Sequence, residues 1–212
     1  MTHGATNTRY LKEYRANLHL TNIQKEILIG TLLGDGHIES SRSGMLARFK
    51  IRHTVLFSEY VDWHYRFWKR WTLKGPTFDP YNNSIILRTI YHPELSEWKR
   101  LFYTRNRKII PSDIHKLLVS ARSLAVWFMD DGNGTKQGEW LRISTYAFGL
   151  SGNQILQDCL DRNFGLKATI YHDSKGNYLW FSKSNAKKLF LLMRSHILPC
   201  MKYKFQSLLL HC

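Results

Sequence analysis

Apolar side chains recur along the chain with two different periods, which predict alternating helices and strands. Residues 22–35 are predicted to form a helix, because they contain an apolar run that Gly36 closes. Thr21 and Gln24 at its start make a capping box, the signature of a helix N-terminus. Residues 47–52 alternate strictly between apolar and basic side chains, which predicts a half-buried strand with a cationic open face. The other elements predicted in this half are a short strand before residue 43, a helix over 56–71, a hairpin turning at 81–83 with a strand over 85–90, and a helix over 93–103.

The second half of the chain repeats this order, so each half reads as an α-β-β-α-β-β-α unit. The predicted fold class is therefore α+β, with antiparallel sheets. Its elements are a helix over residues 123–131, a strand over 140–148, a helix over 151–164, a hairpin turning at 174–177 and a helix over 184–195. The chain then divides into an N-terminal extension at 1–20, a first unit at 21–104, a linker at 105–122, a second unit at 123–205 and a C-terminal tail at 206–212.

Two matched motifs favour a tandem duplication as the origin of this repeat. Residues 28–36 and 124–132 are both apolar runs that end in Asp-Gly, which places Asp35 and Asp131 96 positions apart. Lys108 and Lys204 keep the same offset, so each aspartate precedes its lysine by 73 residues. Two residue types that share one offset are better explained by duplication than by chance.

Composition adds a strong positive charge to this picture. The 212 residues contain 31 Lys plus Arg against 16 Asp plus Glu, a formal net charge of +15. A field of this size acts most naturally on a polyanion, because phosphate neutralisation supplies much of the affinity of nucleic-acid binders. A basic surface that serves only solubility is the alternative.

Cysteine usage and hydropathy indicate an intracellular protein with no membrane span. The three cysteines, at positions 159, 200 and 212, are odd in number and widely spaced, so we expect reduced thiols rather than disulfides or a zinc site. The longest apolar stretch, within residues 27–34, is far shorter than the roughly 20 residues that a bilayer crossing needs. The N-terminus lacks the apolar core of a signal peptide.

The two Asp-Gly motifs place carboxylates where a helix disfavours them. Asp35 and Asp131 are predicted in the last turn of a helix, at the negative end of its dipole. Two such carboxylates at symmetric positions indicate a compensating cation, for which a divalent ion held by oxygen ligands is suitable. Gly30 and Gly34 lie four residues apart and would let the second motif helix approach closely. In a basic protein, converging carboxylates that bind Mg²⁺ imply metal-assisted hydrolysis of a phosphodiester.

These motifs resemble those of the LAGLIDADG homing endonucleases, in particular the single-chain, intron-encoded type. The resemblance covers about residues 20–205 and rests on the paired motifs, the ending Trp-Phe-Met-Asp-Asp-Gly at 127–132, the segment Lys-Ile-Ile-Pro at 108–111 and the Tyr-Lys pair at 203–204. It implies a pseudo-twofold fold in which the motif helices form the interface and two saddle-shaped antiparallel sheets lie in the DNA major groove. It also implies a monomer that cuts both strands of double-stranded DNA across the minor groove and leaves short 3′ overhangs.

The resemblance further implies roles for individual residues. Asp35 and Asp131 correspond to the family's metal-binding catalytic acids, helped by the backbone carbonyls of Gly34 and Asp130, with two or more Mg²⁺ ions at the interface. The catalytic lysines, one from each unit, would offset charge in the transition state or polarise water; they are Lys108 and Lys204. An organellar location is suggested by the resemblance alone.

The second motif departs from the first at two positions. Val126 and Asp130 stand where the first motif has Gly30 and Gly34, so the close approach of the helices rests on one side. The resemblance assigns no role to the side chain of Asp130, and an inter-unit hydrogen bond is one role open to it.

The strand faces supply the candidate DNA contacts. The residues predicted on these faces are Arg48, Lys50 and Arg52 in the first unit and Arg142, Ser144 and Tyr146 in the second. The offset of 96 pairs Arg48 with Ser144 and Lys50 with Tyr146, and an arginine on such a face can bind guanine through two hydrogen bonds. Weaker candidates, suited equally to phosphate contacts, are Arg88, Lys136, Lys175 and Lys183.

Tryptophans and histidines are assigned to structure rather than chemistry. Trp63, Trp68 and Trp98 have the spacing of buried helix faces, so we expect them in the core. The ten histidines show no metal-ligand spacing, and a histidine-based nuclease site is not expected.

Two functions remain open for this sequence. The first is a site-specific DNA endonuclease, and the alternative is an RNA-binding intron splicing maturase without cleavage activity. A protein that only binds RNA has no need of two aspartates at costly positions and two matched lysines, so their presence favours cleavage.

Overall fold

The computed structural model describes residues 9–134 and 140–205. A short N-terminal helix, α1 (Arg9–Ala16), precedes two consecutive units. The first unit comprises α2 (Asn22–Leu33), β1 (His37–Ser40), β2 (Ala47–Thr54), α3 (Ser58–Trp68), β3 (Thr77–Asp79), β4 (Ser84–Arg88) and α4 (Pro93–Phe102). A two-stranded hairpin, β5 (Tyr103–Thr104) with β6 (Arg107–Lys108), follows. The second unit comprises α5 (Ala121–Asp131), β7 (Gly132–Gly134), β8 (Leu141–Ile143), α6 (Gly149–Phe164), β9 (Thr169–Asp173), β10 (Gly176–Phe181) and α7 (Lys183–Met193). The predicted α-β-β-α-β-β-α order is confirmed in both halves.

Each unit contains one four-stranded antiparallel sheet, and the two sheets have the same topology. The strand order is β1-β2-β4-β3 in the first unit and β7-β8-β10-β9 in the second. Along β2, Ala47, Phe49 and Ile51 are buried, whereas Arg52 is exposed. This alternation leaves the basic side of β2 available to a ligand, as the sequence pattern predicts.

The prediction that strand residues match at an offset of 96 is wrong. His37 on β1 pairs with Lys50 on β2, and the equivalent Asn133 on β7 pairs with Arg142 on β8. Arg142 is therefore the structural counterpart of Lys50, and Ser144 that of Arg52. The β7–β8 hairpin is four residues shorter than the β1–β2 hairpin. Because side chains alternate between the two faces of a strand, a change by an even number leaves each predicted residue on the same face of the sheet.

The helices α2 and α5 pack directly against each other in the centre of the molecule. A Cβ atom on Gly30 would collide with the backbone carbonyl of Ser123 and the side chain of Val126. Gly34 packs against Asp130 in the same way. Leu28, Leu32 and the apolar residues 124–129 of α5 are buried in one core that both units share.

Both motif helices begin at side-chain caps. Thr21 and Gln24 form the predicted capping box at the start of α2, with Thr21 N donating to Gln24 Oε1 at 2.9 Å. α5 starts two residues earlier than predicted, because the Ser120 hydroxyl accepts a hydrogen bond from the backbone N–H of Ser123 at 3.1 Å. These caps satisfy amide groups that have no partner within the helix.

Several predicted boundaries need correction. α2 ends at Leu33 with Gly34 as its C-cap, so Asp35 lies just beyond the helix rather than in its last turn. The strand predicted over residues 140–148 ends at Ile143, and Tyr146 begins a 3-10 turn. The predicted N-terminal extension contains α1, whose Tyr14 hydroxyl donates to the carbonyl of Arg70 at 2.7 Å.

The tryptophans occupy the core as predicted: Trp68 is fully buried, and Trp63 and Trp98 pack against buried residues. Among the described helices, none combines the length and apolar character that a membrane crossing requires.

Candidate active site

The candidate site lies where α2 and α5 end side by side. Asp131 is the last residue of α5, and Asp35 follows the C-cap of α2. The backbone N–H of Asp35 donates to Asp130 Oδ2 at 3.1 Å, so the two motif ends are joined by a hydrogen bond between the units. Both candidate carboxylates therefore belong to one end of the helix pair.

Asp130, the residue that had no assigned role, holds the two units together. Its Oδ2 accepts the hydrogen bond from Asp35, and its Oδ1 accepts one from the hydroxyl of Tyr60 at 2.7 Å. Gly34 leaves room for this side chain, because a Cβ there would overlap the Asp130 carboxyl group. The glycine in the first motif and the aspartate in the second are thus complementary.

The two lysines bind equivalent carbonyl groups in the two units. Lys108 Nζ donates to the carbonyl of Gly34 at 2.5 Å, and Lys204 Nζ donates to the carbonyl of Asp130 at 2.8 Å. Each carbonyl belongs to the residue before its unit's motif aspartate. Lys204 also donates to Met129 O at 2.6 Å. The shared 96-residue offset therefore corresponds to a shared geometry.

Burial and crowding of charge perturb the groups of this site. Burial, reinforced by the nearby Asp35 carboxylate and opposed by Lys108 and Lys204, raises the pKa of Asp131 to about 7. Burial and the same carboxylate raise the pKa of Asp130 well above its usual range. Burial lowers the pKa of Lys108 and of Lys204, although the neighbouring carboxylates oppose this change. Such opposed shifts are typical of functional sites.

A histidine joins the carboxylates of the site. Ligand atoms of Asp35, His53 and Asp130 all lie within 4.8 Å of one another. His53 is near the end of β2, and its Nε2 atom is buried without a hydrogen-bond partner in the part of the chain that the structure describes. Oxygen and imidazole donors at this separation fit a divalent cation. No sequence pattern pointed to this histidine, because it lies 18 residues from Asp35 and is brought near by sheet pairing.

Carboxylates from other strands of the sheet pair with the basic residues of β2, and the sequence pattern did not reveal them. Glu39 on β1 forms ion pairs with Arg48 at 2.8 Å and with Lys50 at 2.6 Å. Arg52 pairs with Asp79 at 3.3 Å. These contacts hold the cationic side chains in defined positions on the sheet surface.

The corresponding face of the second unit is arranged differently. The Arg142 guanidinium lies over the ring of Tyr178 at 5.6 Å, and the Tyr146 hydroxyl donates to Asp173 at 2.8 Å. Ser144 is partly exposed, and its backbone N–H donates to the carbonyl of Asp131 at 3.0 Å. This face of the sheet therefore adjoins the candidate site.

The weaker DNA-binding candidates occupy separate positions. Arg88 on β4 pairs with Lys50 across the sheet. Lys175 is exposed in the turn between β9 and β10, and Lys183 is exposed at the start of α7 rather than on a strand. Lys136 lies outside the described residues.

Comparisons with known proteins agree with this architecture. The sequence profile of the LAGLIDADG DNA endonuclease family matches residues 25–189. The "Probable intron-encoded endonuclease 1" of Wickerhamomyces canadensis is 26% identical over 213 residues, which cover 93% of this chain and 90% of that protein. The "Cytochrome b mRNA maturase bI2" of Saccharomyces cerevisiae is 26% identical over 236 residues, which cover 93% of this chain and 53% of that protein.

The solved structure of the homing endonuclease I-WcaI bound to its DNA recognition sequence has the same fold. It matches with a TM-score of 0.84 at 24% identity, over 94% of this chain and 93% of that chain. Because the family profile spans most of the sequence and the paired units have this architecture, the chain belongs to the LAGLIDADG DNA endonuclease family.

Proposed function

We propose that this protein is a site-specific DNA endonuclease that hydrolyses one phosphodiester on each strand of a long target and leaves short 3′ overhangs. The observation that carries the proposal is the paired arrangement at the ends of α2 and α5. Two aspartates and two lysines meet there, and each lysine binds the carbonyl that precedes its unit's aspartate. A protein that only binds nucleic acid has no use for such a pair of half-sites.

The residues present suit the roles that hydrolysis requires. Asp35 and Asp131, with the carbonyls of Gly34 and Asp130, are the proposed ligands of two or more Mg²⁺ ions. Bound Mg²⁺ would supply an activated water and stabilise the charge on the leaving oxygen. The pKa shift on Asp131 reflects carboxylates held close together in a desolvated site, and a cation would relieve that repulsion.

The lysines can contact the scissile phosphates without losing their anchors. An ammonium group has three N–H donors. Lys108 uses one of them for Gly34, and Lys204 uses two, for Met129 and Asp130. Within the described part of the chain, at least one donor therefore remains on each lysine for a phosphate oxygen, where it would offset the charge that develops in the transition state.

The two sheets would bind the DNA target on either side of the cleavage site. Arg48, Lys50 and Arg52 in one unit and Arg142, Ser144 and Tyr146 in the other are the proposed contacts, with Arg88, Lys136, Lys175 and Lys183 as further phosphate or base contacts. One chain contains both half-sites, which supports action as a monomer. The names of the intron-encoded relatives support an intron as the coding context and an organelle as the compartment.

A randomised plasmid library tests this function directly. The purified protein is incubated with the library and Mg²⁺, and the linear ends are sequenced. We expect a single family of related target sequences, with staggered ends that carry short 3′ overhangs. Linear products with random ends, or no linear products, would contradict a site-specific endonuclease.

The alternative function is that of an intron splicing maturase, which one relative's name supports. The same basic sheets could bind structured intron RNA, since phosphate contacts are shared between the two nucleic acids. Binding of the parent intron RNA, with accelerated splicing and no DNA cleavage, would favour this alternative over the endonuclease.

A further inference from the structure

His53 occupies a position in the first unit at which the second unit has no histidine. β1 and β2 pair in antiparallel fashion with His37 opposite Lys50, so β2 runs back toward the end of α2. His53 thereby brings a ring nitrogen within 4.8 Å of a carboxylate oxygen of Asp35. The offset of 92 between Lys50 and Arg142 makes Thr145 the counterpart of His53. Threonine has no imidazole nitrogen, and the Thr145 hydroxyl donates to the side-chain oxygen of Asn153, so the second unit offers no nitrogen ligand at this position.

The surroundings of His53 fix the ring while leaving one nitrogen available. Its ring packs edge-on against Tyr60, with 4.9 Å between ring centroids. Tyr60 in turn binds Asp130 at 2.7 Å. Nε2 of His53 is buried and without a hydrogen-bond partner among the described residues. A buried polar atom of this kind is costly unless a ligand completes its interactions.

Comparison with His64 separates the two buried histidines of this region. His64 is fully buried among Phe49, Tyr60 and Trp63, and both its ring nitrogens lack partners in the described part of the chain. Its imidazole packs against these aromatic rings, so it is a residue of the core. His53 instead faces two carboxylates, those of Asp35 and Asp130, within 4.8 Å.

The Asp130 carboxylate retains capacity for a metal ion. Its two oxygens offer about four lone-pair positions. Two of these accept the hydrogen bonds from Tyr60 and from the backbone of Asp35. Asp35 is exposed, and its side chain takes part in no ion pair of the described residues.

We propose that His53 is a direct metal ligand, and that with Asp35 and Asp130 it forms a mixed nitrogen and oxygen site in the first unit that prefers Mn²⁺ or Co²⁺ to Mg²⁺. Imidazole nitrogen binds first-row transition metals well, whereas Mg²⁺ requires oxygen ligands. The proposal shares Asp35 with the proposed endonuclease and rests on that function for its context. The second unit lacks the nitrogen ligand, so the two halves would differ in metal preference.

Pulsed electron paramagnetic resonance of Mn²⁺ added to the full chain tests this assignment without DNA cleavage. Nitrogen coupled directly to Mn²⁺ modulates the spin echo, and we expect this ¹⁴N modulation in the unaltered protein. It should disappear in His53→Gln and persist in His172→Gln, a matched control at an exposed histidine on β9. Labelling the unaltered protein with ¹⁵N-histidine should convert the ¹⁴N signal to that of ¹⁵N, which identifies the ligand as a histidine even if His53→Gln does not fold.

A metal titration gives a second measure. Partners in the second shell are worth about 10–100-fold in metal affinity, so loss of a direct ligand should weaken Mn²⁺ binding by at least about tenfold. Mg²⁺ binding should change much less. The absence of ¹⁴N modulation in the unaltered protein, or its survival in His53→Gln, would overturn the assignment. Either result would leave the proposed endonuclease intact, since that proposal stands or fails on the library cleavage.

Discussion

At the scale of single residues, the candidate site contains crowded, desolvated carboxylates. Their mutual repulsion costs free energy, which a bound cation would offset. Asp131 is partly buried at the negative end of α5, next to Asp35 and to the desolvated Asp130. Lys108 and Lys204 are held by backbone carbonyls rather than by direct ion pairs with these acids. The lysines therefore make the local potential less negative while leaving the carboxylates open to cations.

Substitution of either lysine should slow cleavage without abolishing it. Lys108→Met or Lys204→Met removes one charge near the phosphate, and we expect cleavage to slow by about 100-fold, the typical effect of losing one electrostatic stabiliser. Each variant should also accumulate nicked plasmid, because each lysine serves mainly one half of the site. Gel analysis of supercoiled, nicked and linear plasmid measures both effects. Lys187→Met, at an exposed position on α7, should cut normally; equal slowing in this control would refute a specific role.

His64 makes the stability of the fold depend on pH. Burial lowers the pKa of His64 well below its usual value of 6.5, with a smaller contribution from His53. The unfolded chain therefore takes up a proton at this residue below about pH 6.5 while the folded chain does not. Since stability rises with pH wherever the unfolded state binds more protons, acidification should cost up to about 1.4 kcal/mol per pH unit from this group.

Substitution of His64 separates this contribution from that of other histidines. His64→Leu should give a flatter dependence of the unfolding free energy on pH between about 6.5 and 5. Urea unfolding at a series of pH values measures the slope, with exposed His172→Gln as the control. Parallel curves for His64→Leu and the unaltered protein would show that His64 titrates equally in the folded and unfolded chains.

At the scale of elements, the molecule depends on the contact between α2 and α5. Gly30 meets backbone atoms of Ser123 and Trp127, which cannot move aside without shifting the whole of α5. The complementary pair of Gly34 and Asp130 then sets the distance between the two helix ends. The interface is thus asymmetric in sequence although the units are symmetric in topology.

A single methyl group at Gly30 should therefore destabilise the fold. We expect Gly30→Ala to lower the unfolding free energy by about 1–3 kcal/mol, the usual cost of overpacking. Gly75→Ala is the matched control, since a Cβ there would make only ordinary contacts with Tyr65. Equal stability of Gly30→Ala and Gly75→Ala in urea unfolding would mean that the helices do not pack as described.

The sheet face of the first unit depends on Glu39. Burial would raise the pKa of Glu39, but hydrogen bonds from Lys50 and Arg48 more than offset this effect and lower it, so the group stays ionised. Its negative charge holds the two cations in place and repels phosphate. The carboxylate thus lowers the affinity for phosphate but holds the side chains that are proposed to contact DNA in a defined arrangement.

Glu39→Gln should increase the affinity for DNA of random sequence by a few fold. It should also reduce the ratio between the affinity for target DNA and the affinity for random DNA. The variant removes one anion from the proposed interface, so Arg48 and Lys50 are free to contact the phosphate backbone of DNA of any sequence. Fluorescence anisotropy at fixed salt measures both affinities, with exposed Glu97→Gln on α4 as the control. Weaker binding to random DNA would show that Glu39 supports contacts rather than restraining them.

At the scale of the whole molecule, the sequence predicted the architecture well because its signals are local. The capping box of α2 and the alternation along β2 each depend on neighbours within a few residues, and both are present in the structure. The repeat extended these local signals to the whole chain. The order of elements in both units followed from it.

The parts that sequence reasoning missed depend on long-range geometry. The structural equivalence of Lys50 and Arg142 follows from the different lengths of the two hairpins, and no local residue pattern predicts these lengths. His53 and Asp35 lie close together although they belong to different parts of the fold, and the hydrogen bond from Tyr60 to Asp130 likewise joins two different helices. The position of Glu39 beside the basic strand was predictable, because the short strand after the first motif must pair with the basic strand that follows it. Its individual ion pairs were not.

The claim that two half-sites in one chain cut DNA is tested most directly by Asp35→Asn and Asp131→Asn on the target recovered from the library. Asparagine keeps the size of the side chain but removes the charge that holds a cation. Each variant should lose at least about 100-fold in cleavage rate. Its affinity for the target should stay within about tenfold of the parental value, or 1.4 kcal/mol.

Exposed Asp161→Asn on α6 should cut at the parental rate. Retention of full cleavage by both Asp35→Asn and Asp131→Asn, or joint loss of DNA binding and of the folded state, would contradict a catalytic role for the paired aspartates.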